Sequence, residues 1–218
     1  MSTPRKWVFS LQFIASSAIL PCLLVDEDNF TGAIVSYLKN KLQKVTVKTI
    51  PVYLVAALLV IFAKPTLPLF LAGLALVIPG EIVRIWAAGH LRKNQEVTTT
   101  GPYAYVKNPL YLGTLLIMIG YCLMARSLYL LAAGLAVFFL YYVPFKKHRE
   151  SAQLQERFGD AWTEYDRAVP DYLPRLSPYP KMGAYPWRWT VFLDNSEHET
   201  AIVVLLMVFL IGLRFWLQ

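Results

Sequence analysis

Two short blocks carry the side chains able to do chemistry. In GPYAYVKNPLYLG, residues 101–113, Gly101-Pro102 fixes one bend and Pro109 another, with Tyr103, Tyr105 and Tyr111 crowded around them. The second block, KKHRESAQL, sets Glu150 just beyond an apolar run. Glu150 supplies an anion, Asn108 amide donors, and Tyr103 or Tyr111 a ring face to stack on or to attract a cation. Pro102 and Pro109 stiffen the backbone, which lowers the entropy lost when a ligand binds. A polar tether needs none of this. The stretch reads as the edge of a shaped pocket.

The elements that must position these residues are apolar helices. The chain has 218 residues, 56% of them hydrophobic and only 16% charged, a balance that excludes a soluble globule. Apolar runs fall at 7–25, 51–63, 67–89, 110–125, 128–145 and 201–217. A crossing helix needs roughly 20 residues, so 51–63 is short, and 7–25 carries Ser16, Ser17 and Pro21. Asp26-Glu27-Asp28 follows that first run with no small-residue cleavage pattern, so it reads as retained. The expected fold is an all-α integral membrane protein of about five to six transmembrane helices in hairpins, with a cytosolic amphipathic helix. Its organisation is an N-terminal membrane segment and basic loop over 1–50, a core over 51–195, and a C-terminal transmembrane helix over 196–218.

Within the core, one hairpin turns at 63–66 and the other at 126–127, and turns this short predict antiparallel pairs. Leu154, Phe158, Trp162, Tyr165 and Val169 recur at helical spacing and predict the amphipathic helix, ended by Pro170. Ser196-x-x-Glu199 predicts a capping box for the last helix, and Trp216 an interfacial anchor. Arg84 interrupts an apolar run, and Glu81, one turn earlier, is its expected partner.

The net charge of +7 is unevenly spread: segments 26–50, 89–108 and 146–199 hold fifteen of the 21 Lys and Arg. The bias toward basic loops inside the cell puts that side in the cytoplasm, and topology plus anionic lipid account for it without nucleic acid. Cys22 and Cys122 lie in apolar helices and suggest no disulfide framework. His90, His148 and His198 are scattered, so no metal site is expected.

The run RIWAAGHLRKNQEVTTTGPYAYVKNPLYLG, followed by a hairpin and then ESAQLQERFGDAWTEYDRAVPDYLP, resembles the isoprenylcysteine carboxyl methyltransferase and phospholipid methyltransferase superfamily over about residues 84–174. The resemblance implies S-adenosylmethionine as methyl donor. Carried over by position, the donor's contacts fall on Val97, Thr98, Tyr103, Asn108, Pro109, Leu110, Tyr111 and Glu150, with His90 and Gln95 as weaker members. Lys146 stands where an Arg approaches the substrate carboxyl, so Lys146 and Glu150 are the candidate catalytic pair. An anion, polar donors and aromatic walls also suit a ligand bearing a sulfonium, an ammonium, a carboxylate and an adenine.

Four positions depart from the family pattern. Lys107-Asn108-Pro109 replaces Arg-His-Pro, Ser151 replaces a second acidic residue, and Lys146 gives up bidentate carboxylate binding. The expected activity is methyl transfer to a lipophilic acceptor met in the bilayer, an isoprenylcysteine-like carboxylate first and phospholipid ethanolamine as the alternative. A carboxylate is already ionised at neutral pH, whereas an amine must shed a proton and neither block holds an evident base. Integral sterol reductases share C-terminal likeness but are longer. An inactive membrane subunit of the same fold is the non-enzymatic reading, motivated by Asn108, Ser151 and Lys146.

Overall fold

The computed structural model describes residues 50–93 and 95–217, excepting the side chains of 50–53 and 141–149. The chain divides into two compact units, Met1–Leu54 and Val55–Gln218, and the second holds the helix bundle. The expected first crossing, 7–25, lies outside the described residues.

Eight α-helices and no strand occur among the described residues: α1 (Ile50–Ile61), α2 (Leu67–Ala88), α3 (Pro109–Met124), α4 (Leu128–Ala136), α5 (Val143–Phe158), α6 (Asp160–Ala168), α7 (Trp189–Asp194) and α8 (Glu197–Trp216). A 3-10 turn spans Gly101–Ala104. Two helices, α2 and α8, are long and apolar enough to cross a membrane, and α3 is a shorter apolar helix. Their apolar side chains face outward: Leu71, Ile78 and Ile82 of α2, and Ile202, Leu205 and Phe209 of α8, are all exposed. A core helix in a soluble protein buries such a surface, whereas lipid covers it in a bilayer.

Proline sets where helices begin. Pro68 occupies the first turn of α2 and Pro109 the first position of α3, where the missing N–H costs nothing and the fixed φ favours the helix. Between α3 and α4, Arg126 adopts a positive φ of 55° and turns the chain.

The most extensive helix pairing joins α2 to α3, across the loop rather than within a sequence hairpin. Glycines explain it. Gly73 and Gly80 of α2 meet Gly120 and Gly113 of α3, so that a Cβ on Gly80 would lie 2.9 Å from the Gly113 carbonyl oxygen and one on Gly113 2.6 Å from that of Gly80. In lipid, where burying apolar surface between helices gains little, backbone approach of this kind supplies the packing. A core of Val77, Ile117, Met124, Val204, Met207 and Ile211 seals α2, α3 and α8 together.

Two sequence expectations change here. The apolar run 128–145 does not stop at its polar boundary but continues through a π-helical segment, Val137–Tyr142, straight into α5. The amphipathic helix is broken, because Gly159 takes φ 54° and ψ −125°, a backbone conformation open to glycine alone. The break swings α6 so that Trp162 and Tyr165 pack against Ala104, Val169 and Tyr179.

Candidate active site

A cavity of about 1010 Å³ opens where the end of α2 and the starts of α3 and α8 meet α5 and α6. Of the residues expected from sequence, Val97, Thr98, Tyr103, Asn108, Pro109, Leu110, Tyr111 and Glu150 line it. His90 and Gln95 do not. His90 sits behind the wall, its Nδ1 3.1 Å from Thr100 Oγ1 and its ring filling the space left by Gly101, which has φ 59°. Gln95 is exposed. The Lys146 side chain lies outside those described.

Glu150 is drawn to the cavity by Tyr111, whose hydroxyl donates to Oε1 at 2.9 Å and to Oε2 at 3.0 Å. This bond joins the two sequence blocks. The wall beside it is held by backbone pairing with the chain beyond α6: Lys107 N donates to Pro170 O, Arg175 N to Tyr105 O and Tyr179 N to Ala104 O. Lys107, 7% exposed, adds ion pairs to Asp166 at 2.6 Å and Asp171 at 2.9 Å. Asn108 Nδ2 donates to Asp171 O at 3.2 Å. Lys107 and Asn108, the positions that depart from Arg-His, therefore fix the wall to its cover.

Tyr103 and Tyr165 differ in use. The Tyr165 hydroxyl donates to Tyr103 O at 2.7 Å, which satisfies a buried carbonyl. The Tyr103 hydroxyl is buried and has no partner among the described residues, although its side chain lines the cavity. Burial raises the pKa of both phenols, so both stay neutral donors. His90 moves the other way, its pKa lowered by desolvation.

A cluster that sequence reasoning assigned only in part lies at the membrane side of the cavity. Arg84 Nη2 donates to Glu197 Oε2 at 2.5 Å, and Nη1 to Thr114 Oγ1 at 2.5 Å and Leu110 O at 3.3 Å. The expected partner Glu81 also forms an ion pair with it, Oε2 standing 3.9 Å from Nε without a hydrogen bond. Gly113 makes room, since a Cβ on it would stand 2.5 Å from Arg84 Cγ. The capping box predicted for α8 is absent: Ser196 adopts φ 58° with no side-chain cap, so the first turn is free to aim Glu197 at Arg84. The signal available in the sequence was Glu197 itself, an acid at the mouth of an apolar helix, but 113 residues separate it from Arg84.

These residues fit a sulfonium methyl donor. The cavity has the size of a small-molecule site, Glu150 provides the anion, and Tyr103 holds a buried hydroxyl in want of a partner. The Tyr111 ring, Val97 and Leu110 supply its aromatic and apolar walls.

Comparison with known proteins agrees with this geometry. Residues 69–161 match the phospholipid methyltransferase family, one of the families of integral membrane methyltransferases. Among curated proteins, it is 33% identical over 120 residues to the cobalt-zinc-cadmium resistance protein CzcN of Cupriavidus metallidurans, covering 54% of this chain and 53% of that one. It is 32% identical over 119 residues to the nickel-cobalt-cadmium resistance protein NccN of Alcaligenes xylosoxydans xylosoxydans, covering 54% and 55%. The chain thus spans about half the length of the curated relatives it matches. No solved structure matches it.

Proposed function

We propose that this chain is an S-adenosylmethionine-dependent methyltransferase whose cavity opens to the cytoplasm and receives a lipophilic acceptor from the bilayer. The observation that carries the reading is the Tyr111–Glu150 bond, which closes both family blocks around one cavity beside the unpartnered Tyr103 hydroxyl. When bound, the donor supplies an electrophilic methyl group on a positively charged sulfur. Glu150 holds positive charge, Tyr103 donates a hydrogen bond, and the Lys107 and Asn108 tethers keep the wall in place before the ligand arrives, which favours orientation over reorganisation. α6 packs Trp162 and Tyr165 against this wall, and both side chains line the cavity.

For the acceptor, an amine-bearing phospholipid headgroup has more support than an isoprenylcysteine-like carboxylate. The family match is to phospholipid methyltransferases. Arg84, the cation on the membrane side of the cavity, already spends Nη1 and Nη2 on Thr114, Leu110 and Glu197. The test is transfer of labelled methyl from S-adenosylmethionine to membrane lipids by the purified chain in nanodiscs. Donor binding without any labelled lipid or prenylcysteine product would leave the inactive-subunit reading.

A further inference from the structure

We infer that Glu197, held by Arg84, is the residue that selects a cationic acceptor head and lies against the nitrogen on which positive charge develops. The inference rests on the methyltransferase reading above and goes beyond it by assigning the acceptor end of the cavity to the C-terminal helix.

Three observations carry it. Glu197 lines the cavity from the first turn of α8, outside both sequence blocks, while Glu150 lines it from α5. Glu96 and Glu156 line the same cavity, but Glu197 is the carboxylate beside Arg84 and Thr114, apart from a sulfonium donor anchored at Glu150. Two acidic side chains, Glu81 and Glu197, flank the guanidinium of Arg84, and of the two only Glu197 lines the cavity. A carboxylate at this end of the cavity attracts an ammonium and repels a second carboxylate. Finally, the described bonds of Glu197 run through Oε2 alone, and Arg84 is itself fixed by Thr114 Oγ1 and Leu110 O. The carboxylate is thus fixed in orientation by a cation that is already occupied.

The step balances without a further reagent. A primary ammonium head, with a pKa of about 10, is drawn to the Glu197 carboxylate and loses one proton to water before transfer. The freed lone pair forms the N–CH3 bond while the C–S bond breaks and keeps its electron pair on sulfur. Positive charge passes from sulfur to nitrogen, and the Glu197 carboxylate stabilises it there. A second proton then returns to water. Glu197 acts by its charge, so a neutral isostere should fail and a shorter carboxylate should partly succeed.

The experiment uses the full chain in nanodiscs with two probes of opposite head charge, dioleoylphosphatidylethanolamine and N-acetyl-farnesylcysteine, and with donor affinity measured separately. The expected result is that wild type methylates the amine. Glu197→Gln should lower kcat/KM for the amine at least tenfold while the donor's Kd stays within twofold, and Glu197→Asp should recover part of the loss. Because Glu197→Gln removes the partner of Arg84, melting temperature is recorded for both variants, and the charge-keeping Glu197→Asp decides if the neutral variant fails to fold. Donor binding with methylation of the carboxylate probe alone would overturn the assignment of Glu197 yet leave the methyltransferase reading intact. Equal loss of donor affinity and amine transfer in both variants would make Glu197 a structural residue. Absence of donor binding in wild type would overturn the underlying reading and this one with it.

Discussion

The Tyr111 hydroxyl lies 2.9 and 3.0 Å from the two carboxylate oxygens of Glu150, so a single phenol spans the 39 residues between the start of α3 and the middle of α5. The contact depends on α4 running through the π-helical segment into α5 without a stop, since a loop at residue 145 would free Glu150 to turn away. Substitution at either end should therefore register at the other. Glu150→Gln should weaken donor binding by about 1.5–3 kcal/mol, the range for a hydrogen bond to a charged group, and Tyr111→Phe by about 0.5–1.5 kcal/mol. Calorimetric titration of both variants and of the double variant measures the coupling, and strict additivity would show that the bond does not orient Glu150.

The tyrosines should separate by what their hydroxyls touch. Tyr165→Phe leaves the buried Tyr103 carbonyl without its donor and should cost about 1–3 kcal/mol of stability. Tyr103→Phe removes a hydroxyl that has no protein partner among the described residues, so folding should be unharmed while donor affinity falls. Tyr105→Phe should alter neither, because Tyr105 is used through its backbone carbonyl. Thermal melts and donor titrations on the three variants give the comparison.

Gly113→Ala and Gly134→Ala test the glycine seam. The added methyl at 113 meets the Gly80 carbonyl oxygen at 2.6 Å, and backbone cannot yield without parting α2 from α3. We expect about 1–3 kcal/mol of destabilisation and displacement of Arg84. At Gly134 the obstacle is the Met118 Sδ at 2.9 Å, on a flexible side chain that can turn aside, so the loss should be below about 1 kcal/mol. Detergent-solubilised melting curves compare the two.

His90 gives the wall a pH dependence. Its folded pKa is lowered from 6.5 by burial, so the unfolded chain takes up a proton more readily than the folded one. Stability is unaffected above about pH 6.5 and falls as the pH drops below that value toward the lower folded pKa. His90→Gln should flatten this part of the stability-versus-pH curve, measured by chemical denaturation from just above the ordinary histidine range to well below it. A curve unchanged by the substitution would assign the acid sensitivity to other groups.

Lys107→Met should loosen the cover. The nearly buried ammonium joins Asp166 and Asp171, and without it two carboxylates are left facing one another. Loss of one partner from a fully buried pair costs about 3–5 kcal/mol, and the solvent exposure of Asp166 reduces this to about 2 kcal/mol. Hydrogen exchange should accelerate over residues 160–182, with α2 and α3 unchanged. Faster exchange throughout would mean that the lysine supports the whole bundle.

The sequence by itself determined the class of protein, because apolar runs and basic loops need only a count of residue types, and it marked the pocket wall, because Gly101-Pro102 and Asn108-Pro109 act on neighbouring backbone. Eight of the ten residues expected to hold the donor line one cavity for that reason. The tertiary structure alone decided the rest. Gly73, Gly80, Gly113 and Gly120 look like ordinary apolar filler until α2 and α3 approach, since a missing Cβ matters only where another backbone occupies its place. The break at Gly159 was hidden by an unbroken hydrophobic period, which reports which face is buried and says nothing of a change in direction. Arg84 illustrates the limit most plainly. Helical spacing offered Glu81, one turn away, but the short bond goes to Glu197 at the far end of the chain. Spacing along one helix sets which residues share a face, whereas the partner of a buried charge is set by whichever helix the fold packs against it.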